Sequence, residues 1–210
     1  MHDHHHHHPH GDRDGAKQPE IFSHERAAML DDPAREAWLP TPALLHILDA
    51  PQGSRVLDFG AGTGRYAIPL AELRPDLQVV AYDVQPEMVA TVRTRALERG
   101  VQTLKATHDA AELAPHSFGR ALVVNVLHEI GDVDVRRIAS LVQPGGVALF
   151  VDWDGGVTRD VGPPNDHVHT KAEAIARLER LGFTDVHDAG TSQIPNHYVL
   201  SAKPDAIANG

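Results

Sequence analysis

The run Arg55-Val-Leu-Asp-Phe59, which passes directly into Gly60-Ala-Gly-Thr-Gly64, constrains this chain more than any other feature. Apolar residues of strand type followed at once by alternating glycines read as a strand that ends in a tight turn and leads into a helix. Gly60, Gly62 and Gly64 lack Cβ atoms, so the turn is free to adopt positive φ and to let a ligand pack against backbone. Open parallel sheets bind ligands beyond the carboxyl ends of their strands, and this turn occupies such an end. A second strand, Gln78-Val-Val-Ala-Tyr82, stops at Asp83. A carboxylate at that place accepts hydrogen bonds from both hydroxyls of a ribose, so a nucleoside ligand is implied. Arg65 stands where a dinucleotide fingerprint needs its third glycine, and no G-x-x-x-x-G-K-[ST] run occurs.

The rest of the chain continues the alternation of strands and helices. From Phe22 to Asp49 the pattern is helical, with Ala27, Leu30, Ala34 and Trp38 in phase, then Thr41 as an N-cap and Pro42 at the first helical position. Helix is expected again between Gly64 and Arg74, with Pro69 near its first turn. Another opens at Pro86, repeats at Met88, Val92 and Ala96, and stops at Gly100. Strands are expected at 101–105, at 120–126, and at 147–151 after Pro144-Gly145-Gly146. Thr170-Lys-Ala-Glu173 is a capping-box pattern ahead of a helix carrying Ile175, Leu178 and Leu181 and closed by Gly182. Two final strands, at 183–187 and 197–202, read as antiparallel. This order predicts a single α/β domain over 21–204, a mostly parallel Rossmann-like sheet with helices on both faces.

Composition removes several function classes. A chain of 210 residues suits one hydrophobic core. No apolar run approaches the ~18 residues a membrane span requires, and the N-terminus has no secretory pattern, so a cytoplasmic location is expected. There is no cysteine, which excludes disulfides, thiolate nucleophiles and Cys-ligated zinc. A formal net charge of −10 disfavours a nucleic-acid partner. Seven of the first ten residues are histidine. Residues 1–20 read as a disordered tail, an expression tag or a native segment that would hold Ni²⁺, Cu²⁺ or Zn²⁺ only loosely, and 205–210 as a flexible C-terminus. No structural metal site is assigned.

Val56-Leu-Asp-Phe-Gly-Ala-Gly-Thr-Gly64 resembles motif I of the class I S-adenosylmethionine-dependent methyltransferases, and the likeness runs from Phe22 to Lys203. Within that superfamily the chain is most similar to the ubiquinone/menaquinone-biosynthesis (methyltransferase type 11) enzymes, through Asn125-Val-Leu-His-Glu129, Gln143-Pro-Gly-Gly146 and Leu181-Gly-Phe183. The resemblance implies a seven-stranded sheet in the order 3-2-1-4-5-7-6 with strand 7 antiparallel. It implies S-adenosylmethionine as the cofactor. Asp58 and the turn Gly60, Ala61, Gly62, Thr63 and Gly64 would face its methionine part, as would Asn125. Asp83 would hold the ribose with Val84 beside the adenine, and Asp109, followed by Ala110, matches the acid that accepts the adenine amino group. Asp109 also suits an N-cap. The implied activity is methyl transfer to O, N or C of a small-molecule acceptor. Arsenite methyltransferases are similar in layout but depend on cysteine thiolates, which this chain lacks.

Methyl transfer from a sulfonium is an in-line displacement in which alignment and desolvation supply much of the rate. Where the acceptor must lose a proton, His128 is the first candidate base, because imidazole titrates near neutrality and this one follows the fourth strand. Asp152, just past the fifth, is the second. Each has a bland alternative, His128 as a helix-start residue and Asp152 as a turn carboxylate bonded to backbone amides. Trp153 either floors the acceptor pocket or packs under a loop. The Gly- and Pro-rich connection 154–169, with His167 and His169, exceeds the common loop length of about 4–6 residues and reads as a functional loop. The Phe22-Ser-His-Glu-Arg-Ala27 entrance reads either as a cap over the cofactor or as ordinary packing. Two other readings stand beside the methyltransferase: a nicotinamide-dependent oxidoreductase, and a noncatalytic cofactor- or metal-binding protein working through its His-rich tail.

Overall fold

Seven strands make one mixed sheet in the order β3-β2-β1-β4-β5-β7-β6. They are β1 (Arg55–Phe59), β2 (Gln78–Tyr82), β3 (Leu104–Thr107), β4 (Phe118–Val124), β5 (Val142–Trp153), β6 (Phe183–Asp188) and β7 (His197–Pro204). The first five pair in parallel, and β7 runs antiparallel to both β5 and β6. The computed structural model describes residues 23–205. The expectations for 1–20 and for 206–210 lie outside the described residues.

Both faces of the sheet are covered, because side chains alternate along each strand and both sets are apolar. Val56, Leu122, Val124, Leu149 and Val151 point into one core with α1 (Thr41–Leu48), α2 (Ala67–Leu73) and α3 (Pro86–Glu98). Leu57, Phe59, Ala121, Val123, Ala148 and Phe150 point into the other, with α4 (Asp132–Leu141) and α5 (Lys171–Arg180). At the end of β5 this alternation sends Asp152 to the α4/α5 face and Trp153 to the other.

β1 and β2 occupy the residues expected of them, whereas β3 starts three residues later than read and β4 covers 118–124 instead of 120–126. β5 begins at Val142, because Val142 pairs with Phe118 ahead of an irregularity in the β4 register. Its Pro-Gly-Gly stretch therefore lies within the strand. The N-terminal region is less regular than expected: two 3₁₀ helices, His24–Asp31 and Pro33–Ala37, precede α1. Thr41 is not the cap of α1. Pro40 occupies that position, and Thr41 gives both its amide (2.9 Å) and its hydroxyl (2.6 Å) to the Glu36 carboxylate. The charged acceptor offers Thr41 stronger bonds than a capping geometry would. Pro69 falls in the first turn of α2, where a missing amide hydrogen is tolerated. The capping box at Thr170 and Glu173 is present in full.

Candidate active site

The carboxyl ends of β1, β2, β4 and β5 open into one cleft of about 2040 Å³. Ordinary ligand pockets hold ~300–1,000 Å³, so there is room for two small molecules side by side. At one end lies the glycine turn. Gly60, Gly62 and Gly64 all have positive φ. A Cβ on Gly60 would stand 2.4 Å from Val126 Cγ2, and one on Gly64 2.8 Å from Ile68 Cδ1, so the turn closes only with glycine. The Gly60 and Ala61 amides donate to Tyr82 O at 2.8 and 2.9 Å, and the Gly62 amide donates to Asp83 Oδ2 at 2.8 Å. Turn and carboxylate thus form one unit at neighbouring strand ends.

Asp83 takes a second amide, from Gln85 at 3.0 Å, on its other oxygen. Burial pushes its carboxyl above the usual range, and the two amides only partly offset this. Each oxygen keeps a lone pair for a ligand hydroxyl. Gly60, Ala61, Gly62, Thr63, Val84 and Asn125 line the cleft with it. Val84 is exposed there, suited to a flat apolar group. Asn125 has φ +56° and a buried Oδ1 without a hydrogen-bond partner. Asp58 is fully buried behind the turn, not on the cleft wall, and its Oδ2 also lacks a partner. Burial raises its pKa to about 7, the Ala67 amide opposing and the nearby Asp83 adding to the rise. Asp109 caps the short 3₁₀ helix that starts at Ala110, accepting the Ala111 amide at 2.8 Å, and neither residue reaches the cleft wall.

At the other end His128 and Asp152, read separately from the sequence, form a dyad. His128 Nδ1 lies 2.8 Å from Asp152 Oδ1, and the His128 amide donates to Oδ2 at 3.0 Å. Asp152 is wholly buried and also takes the Trp153 amide at 2.8 Å. Burial opposes its ionisation, but the imidazole and the two amides outweigh burial and hold it below the ordinary value. A carboxylate only accepts, so the proton sits on Nδ1 and Nε2 presents its lone pair. Burial opposes the His128 imidazolium as well, yet the Asp152 charge and hydrogen bond prevail and raise its pKa above 6.5, with Glu129 adding. His128 lines the cleft; Asp152 does not. Trp153 both lines the cleft and packs beneath the loop, where a Cβ on Gly162 would meet its ring at 2.8 Å. Its ring centroid lies 4.9 Å from Trp38 and 4.1 Å from His197, whose burial drops its pKa to about 3 and keeps it neutral. Val161, Pro163, His167 and His169 carry the 154–169 connection along the rim. No metal-binding group of three or more His, Asp or Glu occurs among the described residues.

The sequence did not disclose the part played by the N-terminal segment. Asp31 receives Thr63 Oγ1 at 2.7 Å and both terminal nitrogens of Arg95, at 2.9 and 2.7 Å. Arg65 donates to Glu36 at 2.7 Å and to Leu30 O at 3.3 Å. These bonds bring Met29, Leu30, Arg35 and Trp38 to the cleft wall, where Arg26 of the expected cap also lies; Phe22 is outside the described residues. Arg65, noted in the sequence only as standing in place of a third glycine, lies in the turn just before α2 and ties this segment down.

A family model described as a methyltransferase domain matches residues 56–146. A ubiquinone biosynthesis O-methyltransferase of Xanthomonas axonopodis pv. citri is 34% identical over 124 residues, covering 55% of this chain and 51% of that protein. A homologous enzyme of Xanthomonas euvesicatoria pv. vesicatoria is 37% identical over 99 residues, 45% of this chain and 41% of that protein. The chain spans about half the length, or less, of the curated relatives it matches. Among solved structures, an S-adenosylmethionine-dependent methyltransferase from Aquifex aeolicus superposes with a TM-score of 0.77 at 23% identity, over 87% of this chain and 98% of that one. The last likeness shows the fold.

Proposed function

We propose that this chain, whose residues 56–146 match a methyltransferase domain, moves a methyl group from S-adenosylmethionine to O, N or C of a small-molecule acceptor, with His128 as general base. S-adenosylmethionine supplies an electrophilic methyl on a sulfonium and is expected at the glycine-turn end of the cleft. The residues there fit it. Asn125 Oδ1 is a buried acceptor on the cleft wall without a partner, and with Asp83 it calls for a ligand that donates: an ammonium and ribose hydroxyls. Arg65, where a dinucleotide fingerprint needs its third glycine, disfavours the nicotinamide reading.

Asp83 binds the ribose in this account, with Val84 against the base. Gly60 and Gly62 bring the turn's backbone to the donor's side of the cleft, and Asn125 orients the donor's amino-acid end. Asp152 holds the His128 ring with Nε2 toward the acceptor, which Nε2 deprotonates as the methyl arrives. Trp153 and Trp38 exclude water from the acceptor's side. A charge of −10 leaves a small molecule, not nucleic acid, as the suitable acceptor. No helix among the described residues is long and apolar enough to cross a membrane, and a cytoplasmic location suits the proposed chemistry.

The observation that carries this reading is that the Gly62–Asp83 unit and the His128–Asp152 dyad face one cleft large enough for donor and acceptor together. S-adenosylhomocysteine formation across a panel of phenols, amines and carbon acids tests it. The His128→Asn variant should lose ~10²–10⁴-fold in kcat while still binding the donor. Turnover unaffected by the substitution would remove His128 from the chemistry. A noncatalytic binding protein would form no product at all.

A further inference from the structure

Helix α5 brings two cations, Arg177 and Arg180, to the wall of the cleft. Arg177 follows the buried Ala174 by three residues and precedes Leu178, so it shares their inward face, and its side chain is only 12% exposed. Its guanidinium spends its donors on the segment that carries His128. One terminal nitrogen donates to Leu127 O at 2.7 Å, the other to Ile130 O at 2.7 Å, and Nε to Asp132 Oδ1 at 3.1 Å. The first also lies 3.3 Å from His169 Nε2, at the close of the 154–169 loop.

We propose that Arg177 is a positioning residue for the reaction: from α5 it clamps the backbone on both sides of His128 and Glu129, and so holds the His128 ring on Asp152 with Nε2 facing the acceptor. This rests on the reading of His128 as general base. Three observations favour a clamp over a generic ion pair. Asp132 already has Arg180 at 2.9 Å, so pairing that carboxylate does not need Arg177. The segment from Asn125 to Gly131 forms neither helix nor strand, and its conformation is set by what grips it. Asp152 grips it from β5 beneath, and Arg177 grips both shoulders from α5. Planar guanidinium geometry suits two diverging carbonyls in a way a single ammonium does not.

The His128 titration in the ligand-free full-length chain, followed by ring ¹⁵N resonances, tests this without turnover. Facing His128 are Asp152 from β5, its neighbour Glu129, Arg159 from the 154–169 loop and His197 from β7. Removing a nearby cation would by itself raise an imidazole pKa, whereas loosening the Asp152 bond lowers it. Arg177→Met is expected to lower the His128 pKa by about one unit and to mix its tautomers. Arg177→Lys, which keeps the charge, should give a smaller fall in the same direction and carries the test if the methionine variant does not fold. With an accepted substrate, kcat should fall about tenfold while the affinity for S-adenosylhomocysteine stays unchanged. A His128 pKa that stays or rises in a folded variant overturns the proposal. A pKa that falls with no change in kcat also overturns it, because Arg177 would then hold a ring that the reaction does not use.

Discussion

At the scale of single residues, Asp58 carries into the core immediately behind the glycine turn a carboxyl that takes the Ala67 amide but leaves Oδ2 without a partner. In the unfolded chain it ionises at its ordinary value of 3.8, but in the folded protein it keeps its proton to about pH 7. Stability therefore falls as pH climbs between those two values, because over that window only the folded state holds the proton. Asp58→Asn should raise Tm at pH 8, by an amount equivalent to roughly 2–4 kcal/mol, and change it little below pH 4. A lower Tm for the variant at pH 8 would show that the carboxylate is already satisfied without ligand. His128 has the same sign. Its raised pKa contributes stability that is complete below 6.5 and lost as pH rises through the folded value, while the free base needed for catalysis grows over the same rise.

At the scale of elements, two segments shape the cleft without belonging to the sheet. The 154–169 loop rests on Trp153 through Gly162, at φ +85° with no room for a Cβ. Gly162→Ala should lift the loop, raise KM for the acceptor several-fold and leave donor affinity alone, as measured by initial rates and by calorimetry. The N-terminal segment is pinned by Asp31 to Thr63 and Arg95. Asp31→Ala should weaken S-adenosylhomocysteine binding and expose this segment to protease, with equal cleavage of both proteins arguing against the pin. Local pattern was enough to place β1, β2, α3 and the Thr170 capping box, since each depends on neighbours in sequence. It misplaced the start of β3 and the cap of α1, where a strand partner and Glu36 decide. It named His128 and Asp152 individually but not as a pair. Nor did it indicate Asp31, Arg35, Trp38 or Arg177 as site residues, because their roles arise from contacts between distant segments. Arg177 left one trace, a basic residue on the buried stripe of an amphipathic helix.

At the scale of the whole molecule, the sheet divides the cleft's labour. The β1–β2 side presents backbone and acceptor oxygens, and the β4–β5 side presents an imidazole, two indoles and a loop. That division suits a donor held by its nucleoside and an acceptor held beside a base. The central claim is that the turn and Asp83 bind the adenosyl donor. Titration calorimetry with S-adenosylhomocysteine, on wild type and on Asp83→Ala, measures it most directly. The account predicts saturable one-to-one binding to wild type, weakened about 10- to 100-fold in the variant by loss of a charge-assisted hydrogen bond. Absence of binding to wild type, or equal affinity in both proteins, would contradict it.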